Sequence, residues 1–124
     1  MKTNFSISID SWEKEIINFT SKMGDITYLE LLSFLGEKSK DTKSIWSNEY
    51  DNILFYNGLS EKLVNIIIKL VNEEKLFMQP TSWVTYLTFA GPITIPNIPI
   101  AKSQRNYKKP HWIPVVFRTI RYTG

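Results

Sequence analysis

The residues of this chain best equipped for chemistry are cations and aromatic rings, and they crowd toward one end. Lys102, Arg105, Tyr107, Lys108 and Lys109 fall within eight positions, with Arg118 and Arg121 beyond them. Ammonium and guanidinium groups neutralise phosphates and release counterions, and aromatic rings stack on unpaired bases for about 1–3 kcal/mol each. Both residue types together make the chemistry of a nucleic-acid surface. No acid interrupts it: from Lys75 to Gly124 there are seven Lys or Arg and no Asp or Glu, a charge of +7. The first 74 residues carry eight bases against twelve acids, a charge of −4, which leaves the chain at +3. Such a split points the basic half toward an anionic partner.

Other chemistries find little support. With no cysteine, disulfides, thiolate zinc sites, iron–sulfur clusters and cysteine nucleophiles are excluded together. The five glycines, at 24, 36, 58, 91 and 124, are isolated, so neither a GxGxxG nor a Walker loop is present to cradle a nucleotide. Asp41, Glu73 and Glu74 lack metal-ligand spacing. His111 is the one histidine, set between Pro110 and Trp112, and reads as a structural or surface residue rather than a catalytic one. The expectation is a binding protein with no catalytic residue, cofactor or metal.

The elements that must position the basic residues follow from patterning. A chain of 124 residues, 43% apolar and 22% charged, has the size and composition of one folded domain, here a helical part over 10–75 and a β part over 76–124. Asp10 and Glu13 have the spacing of a capping box, and Trp12, Ile16, Phe19 and Met23 form one apolar stripe before Gly24. Thr27 and Glu30 repeat the box ahead of Tyr28, Leu31, Leu32 and Leu35. Residues 37–44 read as a loop, 45–56 as a helix closed by an Asn57-Gly58 turn, and Ser60 as the cap of the longest helix, ending near Glu74. Alternation over 83–89 and again over 112–122 predicts two paired strands. All six prolines lie beyond the long helix and make 91–101 an extended arm with Ile93, Ile95, Ile98 and Ile100 as its apolar side chains. No apolar run near the N-terminus is long enough for a signal peptide and none spans a membrane, so a cytoplasmic location is expected.

This order of elements resembles a winged helix-turn-helix domain, with residues 59–76 similar to its recognition helix and first wing strand. The resemblance implies an α+β, winged helix-like fold: three to four helices, then an antiparallel β-hairpin with a long basic wing. It also implies DNA binding, with Lys62, Asn65 and Lys69 as the possible base-reading face. That face carries no arginine, the commonest reader of guanine, so low sequence specificity is expected, and single-stranded DNA is one candidate ligand. An accessory role in replication or regulation would suit such a protein. The alternative is a protein-interaction subunit or inhibitor whose Ile93, Ile95, Ile98 and Ile100 arm docks on a larger polymerase, helicase or nuclease.

Overall fold

The structure, a computed structural model, describes residues 8–90 and 96–120, with backbone alone for 88–90. A single 3-10 turn, Ile9–Ser11, takes up Asp10, so the expected Asp10–Glu13 box does not form and Ser11 becomes the N-cap of α1, Trp12–Met23. Trp12 and Ile16 are buried, Phe19 stacks on Phe34 at 4.0 Å, and Met23 is exposed. The second box forms as expected. The Thr27 N–H donates to Glu30 Oε1 at 2.9 Å and the Glu30 N–H donates to Thr27 Oγ1 at 3.1 Å, starting α2, Tyr28–Leu35.

The next segment differs from its sequence reading. Lys40–Trp46 is a strand, β1, and Ile53–Leu59 another, β2, paired antiparallel where a loop and a helix were expected. The turn between them is built by Ser47, whose Oγ accepts from the N–H groups of Glu49 and Tyr50, and by Asn52 at φ 61°. Short polar side chains tolerate that left-handed conformation and bond locally, which favours a turn over a helix here. Gly58 lies inside β2 with φ 84°, where Lys40 and Lys43 both register with Leu59, so it marks a bulge rather than a turn.

Ser60 accepts from the Leu63 N–H at 3.2 Å and starts α3, Glu61–Asn72, which buries Leu63, Ile67 and Leu70. A short strand β3, Phe77–Pro80, follows. Residues 83–89 do not form the expected strand: Val84–Ala90 is a helix, α4, opened by Ser82, whose Oγ accepts from the Val84 N–H. Strand alternation would bury every second side chain, yet of Trp83 to Leu87 only Tyr86 is buried. The expected strand over 112–122 is divided. His111–Trp112, β4, runs parallel to β2, and Val115–Arg118, β5, pairs antiparallel with β3. Pro114 has no N–H to continue the ladder, and its carbonyl instead accepts from the Thr81 N–H. The result is α+β, with one sheet ordered β1-β2-β4 and a second made of β3 and β5. The expected pairing of 83–89 with 112–122 is thus replaced by β3 with β5.

An aromatic chain joins the layers. Tyr28 stacks on Tyr56 at 5.2 Å and meets Phe117 edge-on at 4.5 Å, while Tyr86 meets Trp112 edge-on at 5.1 Å. The buried Tyr86 hydroxyl accepts from the Tyr28 N–H at 3.2 Å and donates to the Val115 carbonyl at 2.6 Å. The first donor is an otherwise orphan N–H at the start of α2, so one hydroxyl closes the end of a helix and holds a strand. Tyr86→Phe leaves both backbone groups without this partner and is expected to cost about 1–3 kcal/mol in urea unfolding.

Burial raises the phenols of Tyr28 and Tyr86, and pushes that of Tyr56 up to about 12. The unfolded chain ionises near the ordinary value of 10 while the folded chain keeps these protons, so their stabilisation is complete below pH 10 and is lost as pH rises. Each of the three therefore makes stability fall as pH rises above 10. Urea midpoints measured across pH 8–12 should show this decline, and Tyr86→Phe should make it shallower.

Candidate nucleic-acid interface

The basic loop, residues 102–109, is anchored at both ends and in the middle. Before it, the Ala101 N–H donates to the Trp112 carbonyl at 2.7 Å; after it, the His111 N–H donates to the Asn52 carbonyl at 2.8 Å. In between, the Asp51 N–H donates to Asn106 Oδ1 at 2.8 Å, the Tyr107 N–H donates to the Asp51 carbonyl at 3.1 Å, and Asn52 Nδ2 donates to the Tyr107 carbonyl at 2.8 Å. The left-handed Asn52 therefore serves the β1–β2 turn and clasps the loop with both its side chain and its carbonyl. Glu49 and Asp51 belong to that turn, so the folded chain brings part of its acidic half beside the basic one.

Tyr107 organises the loop from within. Its hydroxyl accepts from the N–H groups of Lys102 and Ser103, at 3.2 and 3.3 Å, and donates to the Ser103 carbonyl at 3.0 Å. Its ring stacks on His111 at 3.9 Å, and the Arg105 guanidinium carbon lies 4.5 Å from its centre. His111 and Arg105 thus both lie against this ring. This differs from the expected role of Tyr107 as a platform for bases, and the physical reason is that its neighbours already use it. His111 also places Nδ1 2.8 Å from the Lys109 carbonyl. A carbonyl only accepts, so Nδ1 carries a proton.

Of the expected cations, four gather on this loop: Lys102, Arg105, Lys108 and Lys109 are all exposed, and among the described residues none forms a salt bridge. Arg118 is employed elsewhere. Its Nε and Nη2 donate to the two carboxylate oxygens of Asp25, at 2.9 and 2.7 Å, and its side chain is only 23% exposed. Arg121 lies outside the described residues. On α3, Lys62 and Asn65 are exposed, while Lys69 is held by Glu13 of α1 at 2.8 Å; the hydrogen bond to that carboxylate raises the lysine pKa. In the arm, Ile98 packs on the core and Ile100 is partly exposed, whereas Ile93 and Ile95 lie outside the described residues.

The strand expected over 83–89 would have placed Trp83 in a sheet. It stands instead at the head of α4, 41% exposed, beside a cleft of about 360 Å³ that Lys102 and Gln104 also line. The signal for this placement was Pro80-Thr81-Ser82, a strand stop followed by a helix cap, which the alternation after it outweighed. Among the described residues no three acids or histidines gather to hold a metal ion, and no helix is long and apolar enough to cross a membrane.

Compared with known families, with characterised proteins and with solved structures, the chain has no match. The geometry itself defines an α+β domain bearing a clasped, cationic loop.

The Arg118–Asp25 pair can be separated experimentally from the loop. A double-mutant cycle with Arg118→Gln and Asp25→Asn should give a coupling of about 0.5–1 kcal/mol in urea unfolding. Arg118→Gln should leave nucleic-acid affinity near that of the parent chain.

Proposed function

We propose that this chain is a non-enzymatic nucleic-acid-binding domain, with DNA favoured and low sequence specificity. The observation that carries this reading is the group of four exposed cations, Lys102, Arg105, Lys108 and Lys109, on a loop fixed by hydrogen bonds and without salt bridges among the described residues. Cations already paired with carboxylates would have to break those pairs to meet phosphates. These four have no such cost. In winged-helix terms the loop takes the part of the wing and tracks the backbone, while Lys62 and Asn65 of α3 add minor contacts. Phosphate contacts carry no sequence information, so a surface of this kind suits an accessory factor in replication or regulation that holds nucleic acid without reading it.

A second reading has its own observation. Trp46 and Ile68, 47% and 46% exposed, flank a narrow groove of about 120 Å³ that no cation lines, which fits a protein partner better than a phosphate backbone. The two readings predict opposite salt behaviour. For nucleic-acid binding by the loop, log affinity should fall linearly with log salt over roughly 50 to 200 mM. Changing Lys102, Arg105, Lys108 and Lys109 to Gln should weaken binding more than about tenfold at the low end and remove about 3 from the magnitude of the slope on single strands. Unchanged affinity in that variant would sink the proposal.

A further inference from the structure

We infer that the cleft at the head of α4 seats one base of a single-stranded nucleic acid, stacked on Trp83, while its backbone follows the cations of the 102–109 loop. This inference rests on the nucleic-acid reading above and adds the form of the ligand. Three observations support it. First, Trp83 is a large ring left 41% exposed within a concave surface, where Ile100, Ile113 and Pro114 supply further apolar wall. A base presents the matching shape, two apolar faces and a polar edge. Second, Thr81, Ser82, Ser103 and Gln104 lie on the same lining, and their polar groups suit that edge. Third, Lys102 lines the cleft and also begins the basic loop, so a phosphate next to the seated base meets the first of the four cations.

Size and access decide between strand forms. At about 360 Å³ the cleft lies at the lower end of ligand-site volumes, roughly 300–1,000 Å³, which is room for a base and far too little for a duplex. A paired base is stacked on both faces and cannot reach Trp83 without leaving its helix. The loop that borders the cleft is clasped by Asn52 and by the Tyr107 hydroxyl, so the backbone that carries Lys102 is set before any strand arrives. Deoxyribose and ribose strands share this chemistry, and the cleft as described distinguishes neither.

The test uses the full chain with labelled oligothymidine, its ribo counterpart and a duplex of equal length, read by fluorescence anisotropy. Trp83→Ala should weaken binding to at least one single strand by about tenfold or more, leave duplex affinity within about twofold, and keep the salt slope, because phosphate contacts are untouched. Trp83→Phe keeps a ring and should retain most of the affinity. Trp46→Phe, which alters neither the cleft lining nor the four cations, should change nothing. Stacking should also quench tryptophan emission on strand binding, and the quenched component should vanish in Trp83→Phe, a readout that does not depend on the alanine variant folding. If Trp83→Ala binds single strands like the parent while the four-cation variant does not, the cleft assignment is wrong and the loop reading stands. Equal losses on strand and duplex would also overturn the cleft. Failure of the parent chain to bind any of the three would overturn both.

Discussion

The hydroxyl of Tyr86 has no water to turn to. It lies within the core, between an N–H at the start of α2 and a carbonyl of β5, and it serves both. Neither backbone group is met by the regular bonding of its own element: the first turn of a helix always leaves donors over, and Val115 sits where β5 begins. The position of α4 is therefore set by the need to satisfy two buried polar groups as much as by apolar contact. Around this point the rings of Tyr28, Tyr56, Trp112 and Phe117 pack edge and face, and both sheets are represented among them. Trp112 adds a further tie, since its indole N–H donates to the Phe55 carbonyl of β2.

The same economy shapes the surface that faces outward. A loop of eight residues containing four cations would repel itself and fluctuate if left alone. Here its backbone is fixed to the β1–β2 turn and its only aromatic ring is turned inward, capped by Arg105 and His111. The loop thus holds its charges in place without neutralising them. That is a useful property in a phosphate-binding surface, because ordering costs are met by the fold and not at the moment of binding.

Several parts of this architecture were legible in the sequence. The box at Thr27 and Glu30, the cap at Ser60 and the apolar stripes of α2 and α3 identify their helices because capping and periodicity are local physics. The failures also have local causes. Ile53, Leu54 and Tyr56 suit a helical stripe as well as a strand, and the deciding residues were Ser47 and Asn52, whose turn chemistry is quieter than an apolar pattern. In residues 83–89, β-branched and aromatic side chains suggested a strand, but strand propensity mostly measures packing against neighbours, and the neighbours here demand a helix that delivers Tyr86 to the core.

For the candidate site, the sequence by itself determined the supply of charge: Lys102, Arg105, Lys108 and Lys109 are close in the chain, and a loop of so many cations must be solvated. It also determined that thiolate chemistry and glycine-rich nucleotide loops were absent. Only the tertiary structure decided how each side chain is spent. Arg118 goes to Asp25 and Lys69 to Glu13, because contacts between residues dozens of positions apart leave no trace in local spacing, and the ring of Tyr107 goes to Arg105 and His111 once the backbone folds back on itself. By the same rule Trp83, which alternation assigned to a strand, is released to the surface when α4 turns Tyr86 inward.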